Sequence, residues 1–154
     1  MNTRSLAIAA LILWLLTLAV LAWFFVRGTT APGSDGRTAI VLSMAERDFV
    51  LSEMRGLLAT TQAIVEGVRL NDMTAVARAA NAAGTGAQGN DSPALMAKLP
   101  LAFKTVGLSV HGDMDAIARA AESGAGAPAI LKMVADNLNK CVTCHAAWQF
   151  QVAR

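Results

Sequence analysis

The sequence predicts an all-α protein, an antiparallel four-helix bundle preceded by one N-terminal transmembrane helix. Three observations carry this expectation. Ser5 to Val26 is 22 residues without a charge. No segment alternates apolar and polar residues with period two over a useful length. Elsewhere apolar residues recur at helical spacing, three to four apart and in steps of seven. The chain of 154 residues is 55% hydrophobic, high for a soluble protein, and the excess is concentrated in that first segment. What remains is enough for one domain.

The elements can be taken in order. As a helix, Ser5–Val26 is about 33 Å long, enough to cross a hydrocarbon core of about 30 Å. Trp23, Phe24 and Phe25 stand at its outer end, where aromatic rings favour the headgroup region. A cleaved secretory signal is the competing reading, but its apolar stretch usually runs about 7–15 residues and ends in Ala-x-Ala. Only Thr29-Thr30-Ala31 offers a tolerable cut. Arg4 on one side against Arg27 and Arg37 on the other leaves the positive-inside rule silent on orientation. The expected division is an anchor over residues 1–27, a flexible linker over 28–36, reading GTTAPGSDG, and a bundle over 37–154.

Arg4 and Arg27 flank the anchor, and the other 11 of the 13 basic residues balance 11 acidic ones, all beyond residue 27. Such a domain lacks the basic face that nucleic-acid binding requires, so a membrane is the expected partner and nucleic acid is not.

Arg37 to Arg69 has no proline and two glycines, with Met44, Leu51, Leu58 and Val65 spaced by seven. This predicts a long amphipathic first helix with a bundle-type seam. Asn71 and Asp72 can cap an alanine-rich second helix to about Ala83. Gly84 to Asp91 then reads as a loop, and Ser92-Pro93 as a helix start with proline in the first turn. The third helical region covers roughly residues 93–122, broken or kinked at Pro100 and Gly112. Pro128 opens the last helix, whose stripe carries Ile130, Val134, Leu138, Cys141, His145 and Trp148. The similarity of residues 72–80 to 113–121 reads as two capped, alanine-rich helices packing closely, not as a solenoid.

Cys141-Val142-Thr143-Cys144-His145 is the motif with chemistry in it. On a helix, positions 141, 144 and 145 share a face, so both thiols can form thioethers to a haem while the imidazole reaches the iron. The expected cofactor is one haem c, covalent through Cys141 and Cys144, with His145 as the metal ligand. Zinc needs four ligands, and the only other histidine, His111, lacks zinc-finger spacing. A thioredoxin-like dithiol normally follows a strand in a βαβ pattern, and none is visible. A disulfide across CxxC on a helix would be strained.

Arg47 falls on the apolar stripe between Ile40 and Met54, where a guanidinium is costly unless an anion meets it. A haem propionate would be that anion; a snorkelling arginine paired with Asp48 is the plainer alternative. Methionines on helix stripes are mostly core filler, which leaves Met54 as the one thioether considered for the iron and His111 as a weaker sixth ligand.

A haem motif at the C-terminal end of an all-helical chain resembles the class II c-type cytochromes, the cytochrome c-prime group, over about residues 38–152. That family places on its first helix an arginine, four residues later the distal residue, and three later a methionine. Arg47, Leu51 and Met54 in RDFVLSEM reproduce the spacing, and Trp148 matches the aromatic three residues after the haem histidine. Two departures are a shorter loop before the third helix and Gln149 where a basic residue usually stands.

The resemblance implies a bacterial inner-membrane protein with its N-terminus in the cytoplasm and its haem domain in the periplasm. The implied function is single-electron transfer with a redox protein partner, as a carrier and not an enzyme. With Leu51 over a five-coordinate iron, the alternative is a sensor or scavenger of nitric oxide or carbon monoxide. A homodimer is compatible with both.

Overall fold

The computed structural model describes residues 2–87 and 92–153. The described chain is mostly helical, with six α-helices and one small sheet. The part of the expected Gly84–Asp91 loop over residues 88–91 lies outside the described residues.

Helix α1, Thr3–Arg27, buries none of its residues. Its apolar window has a mean hydropathy of 2.6, so it is long and apolar enough to span a membrane or to act as a signal sequence. The chain after it is not a free linker. Strand β1, Thr30–Pro32, pairs antiparallel with β2, Thr38–Leu42, and β2 pairs parallel with β3, Trp148–Val152. Gly28 turns the corner at φ +63°, where a Cβ would overlap the Lys98 carbonyl and the Pro100 nitrogen. Thr29 N donates to Lys98 O at 2.8 Å. Lys104 Nζ stands 3.9 Å above the Phe25 ring, tying the end of α1 to the domain.

These strands correct the expectation of an all-α chain and, with it, two element boundaries. The first bundle helix does not begin at Arg37, and the last does not run through Trp148. Thr38-Ala39-Ile40-Val41-Leu42 is apolar on both faces because Ala39, Ile40 and Leu42 are all buried, and such a short run cannot be told from helix by periodicity. The true helix start is written one residue later. In α2, Met44–Arg69, Ser43 accepts from the Glu46 backbone while the Glu46 side chain accepts from the Ser43 backbone, a complete capping box. Trp148-Gln149-Phe150-Gln151-Val152 does alternate, but over five residues only.

The remaining elements follow the expected order. Asp72 caps α3, Met73–Asn81, by accepting from Ala75 N at 2.8 Å. Ser92 caps the short α4, Pro93–Lys98, and Pro100 separates it from α5, Leu101–Glu122. Gly112 does not interrupt α5. Helix α6, Ala127–Ala147, has proline in its first turn.

Two apolar clusters hold the domain. At one end Ile64 of α2, Val76, Ala77 and Ala80 of α3, Ile117, Ala118 and Ala121 of α5, and Ile130 and Val134 of α6 close against one another. The similar segments 72–80 and 113–121 meet here, α3 against the second half of α5. At the other end Ile40, Leu42, Leu95 and Leu99 form a smaller core under the sheet, flanked by Phe49, Phe103, Trp148 and Phe150.

The first-helix seam is divided. Leu58 and Val65 are exposed at 68% and 45%, whereas Leu57 and Ile64 face the core. The seven-residue spacing marks an outer stripe of α2, and the core is built from its neighbours one position earlier.

Candidate functional site

The parallel pairing of β2 with β3 sets Thr38 opposite Trp148, bringing the start of the domain to the end of α6. Ser43 turns the chain back, and α2 then passes the last turn of α6. An open cleft of about 190 Å³ lies between them, lined by Arg37, Arg47, Leu51, Met54, Phe103, Cys144, His145, Trp148, Gln149 and Phe150. Arg47, Leu51, Met54, Cys144, His145 and Trp148, far apart in sequence, therefore share one cleft. Cys141 lies one turn earlier on α6, partly buried, outside that lining.

Each side chain has a local cause. Asn137, buried on α6, donates from Nδ2 to Val110 O at 3.1 Å and to Asp113 Oδ2 at 3.2 Å. Lys140 Nζ meets Asp113 at 2.6 Å. These bonds fasten the motif-bearing half of α6 to α5. Phe103 of α5 packs edge-on against Trp148 and Phe150, with ring centroids 6.4 and 5.7 Å apart, forming the apolar end of the cleft. Trp148 leaves the helical stripe as the first residue of β3, where this aromatic contact and the strand pairing hold it.

Arg47 does not carry a buried charge. Its side chain is 38% exposed, and Nη1 lies 3.2 Å from Asp48 Oδ1, so the desolvation argument for an anionic partner does not apply. It nonetheless lines the cleft, together with a second guanidinium, Arg37. Met54 also lines a neighbouring cavity of about 200 Å³ that reaches Leu57, Met96 and His111, so it sits on the wall between the two spaces. His111 Nδ1 bonds Ala83 O at 2.8 Å and is not among the residues of the first cleft.

Burial pushes both thiols above the ordinary cysteine range, and Cys144 is raised further by the adjacent Cys141. A dithiol redox centre needs the opposite shift, toward thiolate. Among the described residues no group of three or more His, Cys, Asp and Glu could hold a metal ion. Within the cleft lining, Cys144, His145 and Met54 are the side chains with donor atoms for a metal-bearing group. The cleft suits such a group chemically: a thiol and an imidazole from α6, apolar walls, and two guanidiniums, already paired with Asp35 and Asp48, that add positive charge at its edge.

No family model, curated protein or solved structure matches the chain.

Sequence reasoning missed Arg37, Phe103 and Phe150, and met Gln149 only as a departure from the family pattern. The sequence pattern places Arg37 in a helix that in fact begins seven residues later, at Met44. The alternating pattern of residues 148–152 was the available signal for Gln149 and Phe150. Nothing in the sequence points to Phe103.

Proposed function

We propose that the chain is a membrane-anchored c-type cytochrome of the cytochrome c-prime type, carrying one haem covalently on Cys141 and Cys144 with His145 on the iron. The observation that carries the reading is the convergence of Arg47, Leu51, Met54, Cys144 and His145 on a single cleft. In this reading α2, α3, α5 and α6 form the four-helix bundle. Bound haem would supply a one-electron couple, and the residues around it hold and shield it. Phe103, Trp148 and Phe150 exclude water on one side, while Arg37 and Arg47 offer charge to its carboxylates.

The anchor reading is supported by the joint after α1. The tolerable cut at Thr29-Thr30-Ala31 falls at the start of β1, which is hydrogen-bonded to β2, so cleavage there would leave the sheet without all of that strand but Pro32. The protein then resides in the bacterial inner membrane with its haem domain in the periplasm, passing single electrons to a redox protein.

Chain matured in a host competent for haem attachment should carry one haem by intact mass, retained through acidic organic extraction. Cys141→Ala with Cys144→Ala should abolish it completely. An unmodified mass in the wild type sinks the proposal.

Gas binding is the second reading, favoured by Leu51, an apolar side chain without a hydrogen-bond donor, in the cleft lining. An absorption spectrum decides between them. High-spin iron that binds carbon monoxide on reduction supports gas binding, whereas a low-spin spectrum lost in Met54→Leu assigns the sixth position to sulfur and supports the carrier.

A further inference from the structure

The hairpin between β1 and β2 does more than join the anchor to the bundle. Arg37, at the start of β2, donates from Nη1 to His145 O at 3.2 Å and to Trp148 O at 3.4 Å. His145 lies in the last turn of α6 and Trp148 is its C-cap, where backbone acceptors lack intrahelical partners and the helix dipole is negative. The same guanidinium is held from behind by Asp35, through Nε at 2.8 Å and Nη2 at 2.7 Å. Asp35 also accepts from Gln149 Nε2 at 3.2 Å. A Cβ at Gly33 would overlap Gln149 Nε2 and the Arg37 carbonyl, so glycine is what lets the hairpin close this tightly on β3. Arg37 therefore lines the cleft as a cation and at the same time clamps the backbone of the residue that carries the imidazole.

We propose that Arg37, oriented by Asp35, is a positioning residue for His145: it fixes the last turn of α6 and places a positive charge beside whatever iron His145 holds. The inference rests on the haem reading for its redox part and on the hydrogen bonds alone for its structural part. Because Gly28 and β1 lead straight from α1 into this hairpin, the clamp also links the anchor to the ligand turn.

The two parts call for two measurements on the full-length chain in detergent micelles: amide hydrogen exchange along residues 145–152 without haem, and the reduction potential with covalent haem. Arg37→Gln should raise exchange at those amides about tenfold, as expected for two lost hydrogen bonds. It should also lower the potential, changing the ferric-to-ferrous ratio at the wild-type midpoint by about threefold or more. Arg37→Lys keeps the charge and loses the fork, so exchange should rise while the potential stays near the wild-type value. Asp35→Asn should shift the potential the other way, upward, because a negative charge is removed. A merely structural role would not produce shifts of opposite sign.

Unchanged exchange and potential in Arg37→Gln overturn the proposal. If that variant does not fold, Asp35→Asn decides, and a potential that falls or stays constant counts against it. Wild-type chain without covalent haem would refute the haem reading, leaving exchange to settle the clamp by itself.

Discussion

The two ends of the domain are built from different residues for different purposes. The end formed by the second half of α2, α3, the second half of α5 and the first half of α6 is packed with alanine, isoleucine and valine, and Ile64, Val76, Ala80, Ile117, Ala118 and Ile130 are fully buried. Small side chains let the backbones approach closely; a Cβ at Gly67 would stand 2.8 Å from Val76 Cγ2. The cleft end uses larger side chains, Leu51, Met54, Phe103, Trp148 and Phe150, and leaves each of them partly exposed around an open space. A core that closes on itself supplies stability without a ligand. A ring of bulky apolar groups that does not close exposes surface that a flat apolar guest could cover.

The sharpest break between the ends should appear in haem-free protein. Ile117→Ala should cost about 2–5 kcal/mol in urea unfolding, through lost transfer energy and the cavity left behind. Leu51→Ala in the cleft should cost less than about 1 kcal/mol, because its side chain already meets solvent. Equal losses would mean that the cleft is closed in solution.

Truncation tests the boundary of the cleft end. Removing residues 1–27 leaves the sheet whole, whereas removing residues 1–36 deletes β1 and Asp35. The longer deletion should lower the melting temperature further and loosen residues 148–152 in hydrogen exchange.

A smaller effect is expected at the start of α2. Ser43→Ala should cost roughly 0.5–2 kcal/mol, the usual range for a lost N-cap. Its partner Glu46 is held at a pKa of about 2 instead of 4.5, first by Lys98 and then by Ser43. A carboxylate with its pKa lowered by folding adds stability above its ordinary pKa. That contribution is lost as pH falls from about 4.5 through about 2. Acid titration of Glu46→Gln, followed by circular dichroism, should therefore show a weaker decline over that window than wild type.

The smallest effect belongs to Arg47. In haem-loaded protein Arg47→Leu should shift the reduction potential downward by less than Arg37→Gln does: the two side chains are about equally exposed and each is paired with an aspartate, but only Arg37 is bonded to the carbonyl of His145. A larger shift at Arg47 would reverse the order of the two guanidiniums at the cleft.

The CxxCH spacing, the 22-residue uncharged run, the caps at Asp72 and Ser92 and the first-turn proline Pro128 were legible because each is local chemistry: a pair of thiols one turn apart, a length matched to a bilayer, a side chain answering the nearest free N–H, a ring preset for the first helical turn. The capping box at Ser43 and Glu46 was equally local and should have displaced the expected helix start at Arg37. By itself the sequence determined a mostly helical domain behind an apolar N-terminal helix, and the helix that carries Cys141, Cys144 and His145. Only the tertiary structure decided that residues 30–32, 38–42 and 148–152 form a sheet, that Arg37 grips the end of α6, and that Phe103 closes the cleft. The β2–β3 pairing and the Arg37 contact join segments about 110 residues apart, as between Thr38 and Trp148, and local pattern carries no record of which distant strand will supply the hydrogen bonds.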